Sequence, residues 1–79
     1  HSEIAEVLQG LGQLDLANGN PTGALKHFQN AQAIVLEEFG PAHYKVQLLN
    51  YHVAMAKAAL GKQAEALQLL ESALSSVQS

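Results

Sequence analysis

At 79 residues and 48% apolar content, the chain has the size of one small domain or a piece of a larger one. Four basic against seven acidic residues give a net charge of −3 with no basic stripe, which argues against nucleic acid and anionic membrane as partners. Without cysteine there is no disulfide framework, thiolate metal site or thiol nucleophile, and no stretch approaches the roughly 20 apolar residues that span a bilayer.

The first predicted helix opens at Ser2, a capping residue, with Glu3 and Glu6 in the turn where the helix dipole favours acids. Ile4, Val7, Leu8, Leu11 and Leu14 recur at helical spacing and are expected to form its apolar face. It ends near Ala17, because Asn18-Gly19-Asn20-Pro21 is dense in turn residues. Asn20 then reads as an N-cap with Pro21 in the first helical position. The second helix runs to about Phe39 and turns Ala24, Leu25, Phe28, Ala31, Ile34 and Val35 inward. Gly40 suits a left-handed terminator and Pro41 forbids continuation.

A third helix starts between Pro41 and Lys45 and runs to Leu60, with Val46, Leu49, Val53, Ala56 and Leu60 on one face. Gly61 breaks it, and a fourth runs from about Lys62 to Val77, with Ser75, Ser76, Gln78 and Ser79 expected to fray. No run alternates with period two, so the expectation is all-α: four antiparallel helices in two hairpins.

The two hairpins share a pattern. Gly61, Ala66, Leu67, Leu70 and Ala73 each lie 42 residues after Gly19, Ala24, Leu25, Phe28 and Ala31. A constant offset across a turn and a helix marks an internal repeat. The first unit reads Leu8, Leu11-Gly12, Gly19, Ala24, Phe28, Ala31, and the second Val53-Ala54, Gly61, Ala66, Leu70, Ala73. This resembles the tetratricopeptide repeat, in which paired helices stack into a right-handed superhelix. Gly12 and Ala54 would let the partner helix approach, while the four alanines receive large neighbours. The unit exceeds the usual repeat of roughly 34 residues, and Gly40-Pro41-Ala42-His43-Tyr44-Lys45-Val46 resembles the Gly-Pro-x-His-x-x-Val linker of the kinesin light chain subtype. His1-Ser2-Glu3-Ile4 is similar to the end of that linker. The first hairpin with its linker occupies residues 1–41 and the second 42–79.

The resemblance implies that the first helix of each pair lines a concave groove. Its candidate partner-binding residues are then Glu6, Gln9, Gly10, Gln13 and Leu16 on one helix and Leu48, Tyr51, His52 and Met55 on the other. Gln9 and Gln13 would hydrogen-bond a peptide backbone, Tyr51 and Met55 give adaptable apolar contact, and Gly10 opens the wall. In the kinesin light chain family paired asparagines hold these positions; Gln9-Gly10 and Tyr51-His52 replace them. Asn50 stands where the first unit has Leu8, so the start of the third helix is expected to pack differently. Asp15 and Lys57, also 42 apart, are expected to pair across the stacked repeats.

Catalytic chemistry finds no footing. His1, His27, His43 and His52 lack ligand spacing, so no metal and no cofactor are expected, and His43 fits the linker, where it ties a loop. Glu37-Glu38, Glu65 and Glu71 read as solvated carboxylates, and Ser72, Ser75 and Ser76 lack an activating base. The glycines form no phosphate-cradling pattern. An interaction scaffold gripping a peptide or helix of a partner protein is therefore the first expectation. The alternatives are a structural spacer or self-association segment of a longer array, and a regulatory sensor domain. Ile4, Val7 and Leu14 at one end and Leu67, Leu69 and Leu74 at the other are expected as open apolar edges, which would give a homo-oligomer or marginal stability. The absence of an initial methionine reads as a cut inside a longer protein, and the lack of cysteine suits a reducing, cytoplasmic setting.

Overall fold

Helices form where the apolar periodicity places them: α1 (Ser2–Ala17), α2 (Pro21–Phe39), α3 (Tyr44–Ala59) and α4 (Gln63–Gln78), with no strand among the described residues. The computed structural model describes residues 2–78, and side chains over residues 3–75. The expected cap at Ser2 and the fraying at Ser76, Gln78 and Ser79 therefore lie outside the described side chains, as does His1. Two helix-turn-helix units stand in tandem, α1 packing on α2, α2 on α3 and α3 on α4, as a slab with extents of 33 × 29 × 14 Å. No described helix is long and apolar enough to cross a membrane.

Local chemistry sets the helix ends. Asn20 caps α2 by accepting the Gly23 N–H at 3.2 Å, with Pro21 in the first helical position. The Gly40 N–H closes α2 on the Leu36 carbonyl. Gly40 has φ 87° and ψ 167°, so it is not the left-handed terminator of the sequence expectation. Its φ still demands glycine, but the chain leaves the helix extended and reaches His43 in three steps. His43 caps α3, its Nδ1 accepting the Lys45 N–H at 3.2 Å, and its ring lies between Phe39 (4.3 Å) and Tyr44 (4.7 Å). The linker histidine ties the loop, as its place in the linker suggested.

The core joins both units: Ala24, Phe28, Ala31 and Val35 of α2 meet Val46, Leu49, Val53 and Ala56 of α3. Leu25, Ile34 and Leu69 pack against it, half-buried. On α1 most of the large residues are not the packed ones. Ala5 and Gly12 are buried, Leu8 and Leu16 pack beside them, and Ile4, Val7, Leu11 and Leu14 remain exposed. The reason is the closeness of the helices. A Cβ at Gly12 would stand 2.5 Å from Cε1 of Phe28, so α1 can lie on α2 only along its smallest residues. The expected apolar face of α1 therefore divides: Leu8 packs on the core, whereas Ile4, Val7 and Leu14 are exposed, as expected of an open apolar edge, and Leu11 is exposed with them. Leu69 is also corrected, since it packs on the core, whereas Leu67 and Leu74 are exposed.

Polar contacts pin the seams. Gln32 of α2 donates to the Asn50 side chain and to the Val46 carbonyl (3.3 Å), and Asn50 donates to Gln47 at 3.1 Å. The start of α3 thus packs through an amide network where α1 has Leu8. Asp15 and Lys57 do not pair with each other. Asp15 accepts from His27 Nδ1 at 2.7 Å inside the first hairpin, and Lys57 reaches Glu65 at 3.1 Å inside the second. Glu65 occupies the repeat position of Gly23, where a Cβ would strike the capping Asn20 amide. The first hairpin therefore takes its polar tie one turn later, at His27. Intrahairpin partners are nearer than any partner across the stack, and the half-exposed Lys57–Glu65 pair is worth only ~0–1 kcal/mol.

Candidate functional site

A groove of about 300 Å³ runs between α1 and α3, over α2. Ala5, Val35 and Leu49, all buried, make its apolar floor. Glu6, Gln9, Gly10 and Gln13 form the α1 wall, one helical turn apart in pairs. The α3 wall is Tyr44, Lys45 and Leu48, with the Lys45 ammonium resting 5.1 Å from the centroid of the Phe39 ring. The volume sits at the small end of ligand pockets, room for one or two side chains of a bound segment.

Five sequence-nominated residues meet here: Glu6, Gln9, Gly10, Gln13 and Leu48. Tyr51 and Met55 lie outside the groove proper but continue the exposed stripe Tyr44, Leu48, Tyr51, Met55, spaced 4, 3 and 4 along α3. Leu16 is corrected: it packs on the core beneath α1. Tyr44 and Lys45 were missed by sequence reasoning because the linker pattern had accounted for them. Their helical spacing from Leu48 was the available signal.

His52 has turned inward and is part of the frame. Its ring stacks on Phe28 with centroids 5.1 Å apart, and Tyr51 meets it edge-on at 5.6 Å. Gln9 Nε2 donates to His52 Nε2 at 3.1 Å, fastening the α1 wall to the α3 wall. An amide NH₂ only donates, so this ring nitrogen must carry a lone pair, which a neutral imidazole supplies. Burial pushes the His52 pKa below its ordinary 6.5, in the same sense.

That shift predicts a pH dependence. With the folded pKa below the unfolded one, the unfolded chain takes up the proton first. The contribution is complete above about 6.5 and is lost as pH falls from there through the lower folded value. Thermal melting by circular dichroism should show the wild type losing more of its Tm than His52→Gln between neutral and mildly acidic pH. Parallel losses in the two proteins would refute the assignment.

Chemically the groove offers amides, one carboxylate, one ammonium and a phenol around an apolar floor. Its lining holds no nucleophile–base pair among the described residues. No group of three or more His, Cys, Asp or Glu converges among the described residues. A profile of the tetratricopeptide repeat matches residues 3–79, nearly the whole chain. No curated protein and no solved structure matches it.

Proposed function

We propose, from the premise that this chain belongs to the tetratricopeptide repeat family, that its α1–α3 groove holds an extended segment of a partner protein. The family is a protein-interaction fold, so a contact role is the starting point. The observation that carries the specific reading is Gly10. A Cβ there meets nothing within 4 Å, so the groove wall is open where the amides of Gln9 and Gln13 flank it. An apolar side chain of the partner enters over Ala5 and Leu49, and the Gln13 amide hydrogen-bonds the partner backbone. Tyr44, Leu48, Tyr51 and Met55 extend the contact along α3 with aromatic and thioether surface.

The longer unit and the Gly40-Pro41-Ala42-His43 linker support the kinesin-light-chain-like subtype, with His43 acting as the α3 cap. The replacement of the subtype's asparagine pairs by Gln9-Gly10 and Tyr51-His52 points to a different cargo. Here His52 braces the groove by holding Gln9.

Selection of a random linear-peptide display library on the wild-type protein tests this. Enriched peptides should share an apolar anchor residue and bind Gly10→Leu roughly tenfold or more weakly, about 1.4 kcal/mol or more. Gly10→Ala, which gains helix propensity of about 1 kcal/mol and leaves most of the space, should melt higher than wild type. Peptides that bind Gly10→Leu as well as wild type would place recognition elsewhere.

A further inference from the structure

Building on the groove reading, we infer that His52 sets which end of the Gln9 amide the bound segment meets. With the ring neutral, Gln9 presents its carbonyl oxygen and accepts from a backbone N–H of that segment. With the ring protonated, Gln9 presents its NH₂ and that bond is lost. His52 is thus a positioning residue, acting on the partner through Gln9.

The geometry joins α1, α2 and α3. Gln9 lines the α1 wall, and its Nε2 lies 3.1 Å from His52 Nε2 on α3. The ring is stacked on the fully buried Phe28 of α2, with Tyr51 at its edge, and these contacts hold its plane. A glutamine amide has two unlike ends on one flat group: the oxygen only accepts and the NH₂ only donates. While the ring nitrogen keeps its lone pair, the NH₂ is the end that faces it, and the oxygen is left for the groove. A proton on Nε2 makes that nitrogen a donor, so two donors oppose each other. Half a turn about the last Gln9 bond then brings the oxygen to the ring, in a bond strengthened by the ring's charge. The change is the rotation of one side chain.

The surroundings of the ring leave its proton to burial. Of Phe28, Tyr51 and Gln9, which are placed against it, only Tyr51 is ionisable. The residues a turn to either side of Phe28 on α2 are Ala24, Leu25, Ala31 and Gln32, none of them ionisable. On α1 the carboxylate one turn before Gln9 is Glu6, exposed on the groove wall, and Asp15 is held by His27 of α2. On α3 Lys45 lies over Phe39, and Lys57 is paired with Glu65 of α4. No carboxylate is within ion-pair distance of the His52 ring among the described residues. Burial keeps the ring neutral at neutral pH.

The experiment is NMR on the nitrogen-labelled 79-residue chain, in wild type, His52→Gln and Gln9→Ala. The ring nitrogens should show the tautomer with its proton on Nδ1 at neutral pH. As pH falls, the side-chain NH₂ signals of Gln9 should move with the same midpoint as the ring, and stay still over that range in His52→Gln. A ring with its proton on Nε2 at neutral pH overturns the proposal, and so do Gln9 signals that ignore the ring. These readings need no partner. For the binding step the probe is a library-selected peptide free of Asp, Glu and His. Wild type should bind it roughly tenfold or more weakly once the ring is protonated, at a temperature where circular dichroism shows full helicity. His52→Gln and Gln9→Ala, whatever their affinity at neutral pH, should bind it equally at both pH values. A wild-type affinity indifferent to the ring's proton overturns the proposal and leaves the groove reading intact. A library that yields no groove peptide overturns the groove reading, and this inference with it, even where the ring and Gln9 titrate together.

Discussion

Phe28→Ala should abolish the cooperative unfolding transition of this chain. Phe28 is 0% exposed and sits where all the packing meets: against Gly12 of α1, beneath the His52 ring of α3, and among Ala24 and Ala31 of its own helix. Truncating a buried phenylalanine costs about 3–5 kcal/mol, the lost transfer energy plus the cavity. A domain of this size holds roughly 4–12 kcal/mol in all, at about 0.05–0.15 kcal/mol per residue. The substitution therefore removes a large part of the total and loosens α1, α2 and α3 together. Urea titration followed at 222 nm should show a broad, early loss of signal in place of a sigmoid. A sharp transition within about 1 kcal/mol of wild type would mean that the core does not depend on this ring.

Gly12→Ala is the second large effect, and here two terms compete for the sign. Alanine in place of a helical glycine gains about 1 kcal/mol of propensity. Against this, the new Cβ would stand 2.5, 2.7 and 2.9 Å from three carbons of the Phe28 ring. The ring is fully buried, and overpacking of this kind costs about 1–3 kcal/mol or more. Steric repulsion wins, and the variant should be less stable than wild type in chemical denaturation. The second repeat shows how the clash is relieved: at the equivalent positions it has Ala54 and Leu70. Gly12→Ala combined with Phe28→Leu should therefore be more stable than the sum of the single changes predicts, a coupling that a double-mutant cycle measures directly. A Gly12→Ala protein as stable as wild type would show that α1 and α2 slide apart at little cost.

The contrast with Gly10 makes the same point. Two residues away on the same helix, Gly10 has open space where Gly12 has a ring, so the same substitution is expected to stabilise. Each glycine costs helix propensity, and the repeat pattern already set Gly12 against the partner helix and Gly10 on the groove wall. The direction of each Cα–Cβ bond gives that difference its size, 2.5 Å from the Phe28 ring at one and open space at the other.

Much of the candidate site was legible for the reason that helices have a fixed period. The family resemblance named α1 and α3 as the wall helices, the helical period then selected Glu6, Gln9, Gly10, Gln13 and Leu48, and these five line one groove. The choices that went astray depended on rotation about the helix axis at its margins. Leu16 and His52 lie where the groove face meets the packed face, and a few tens of degrees turned them into the core and onto Phe28. Asp15 and Lys57 failed for a different reason. Equivalent positions in a repeat share a direction but not a neighbour, and each found its partner inside its own hairpin, at His27 and at Glu65.

The chain by itself determined the number of helices, their ends and their pairing, because those depend on local chemistry: the Asn20-Pro21 cap, the turn glycines, the linker histidine and the period of 42. Only the tertiary structure decided which side of α1 is inside. In the sequence Ile4, Val7 and Leu14 read both as part of an apolar face and as an open edge; the approach of α2 selected Ala5 and Gly12 for the inside, since interhelical distance is set by the smallest residues that can meet. The larger ones were left facing outward.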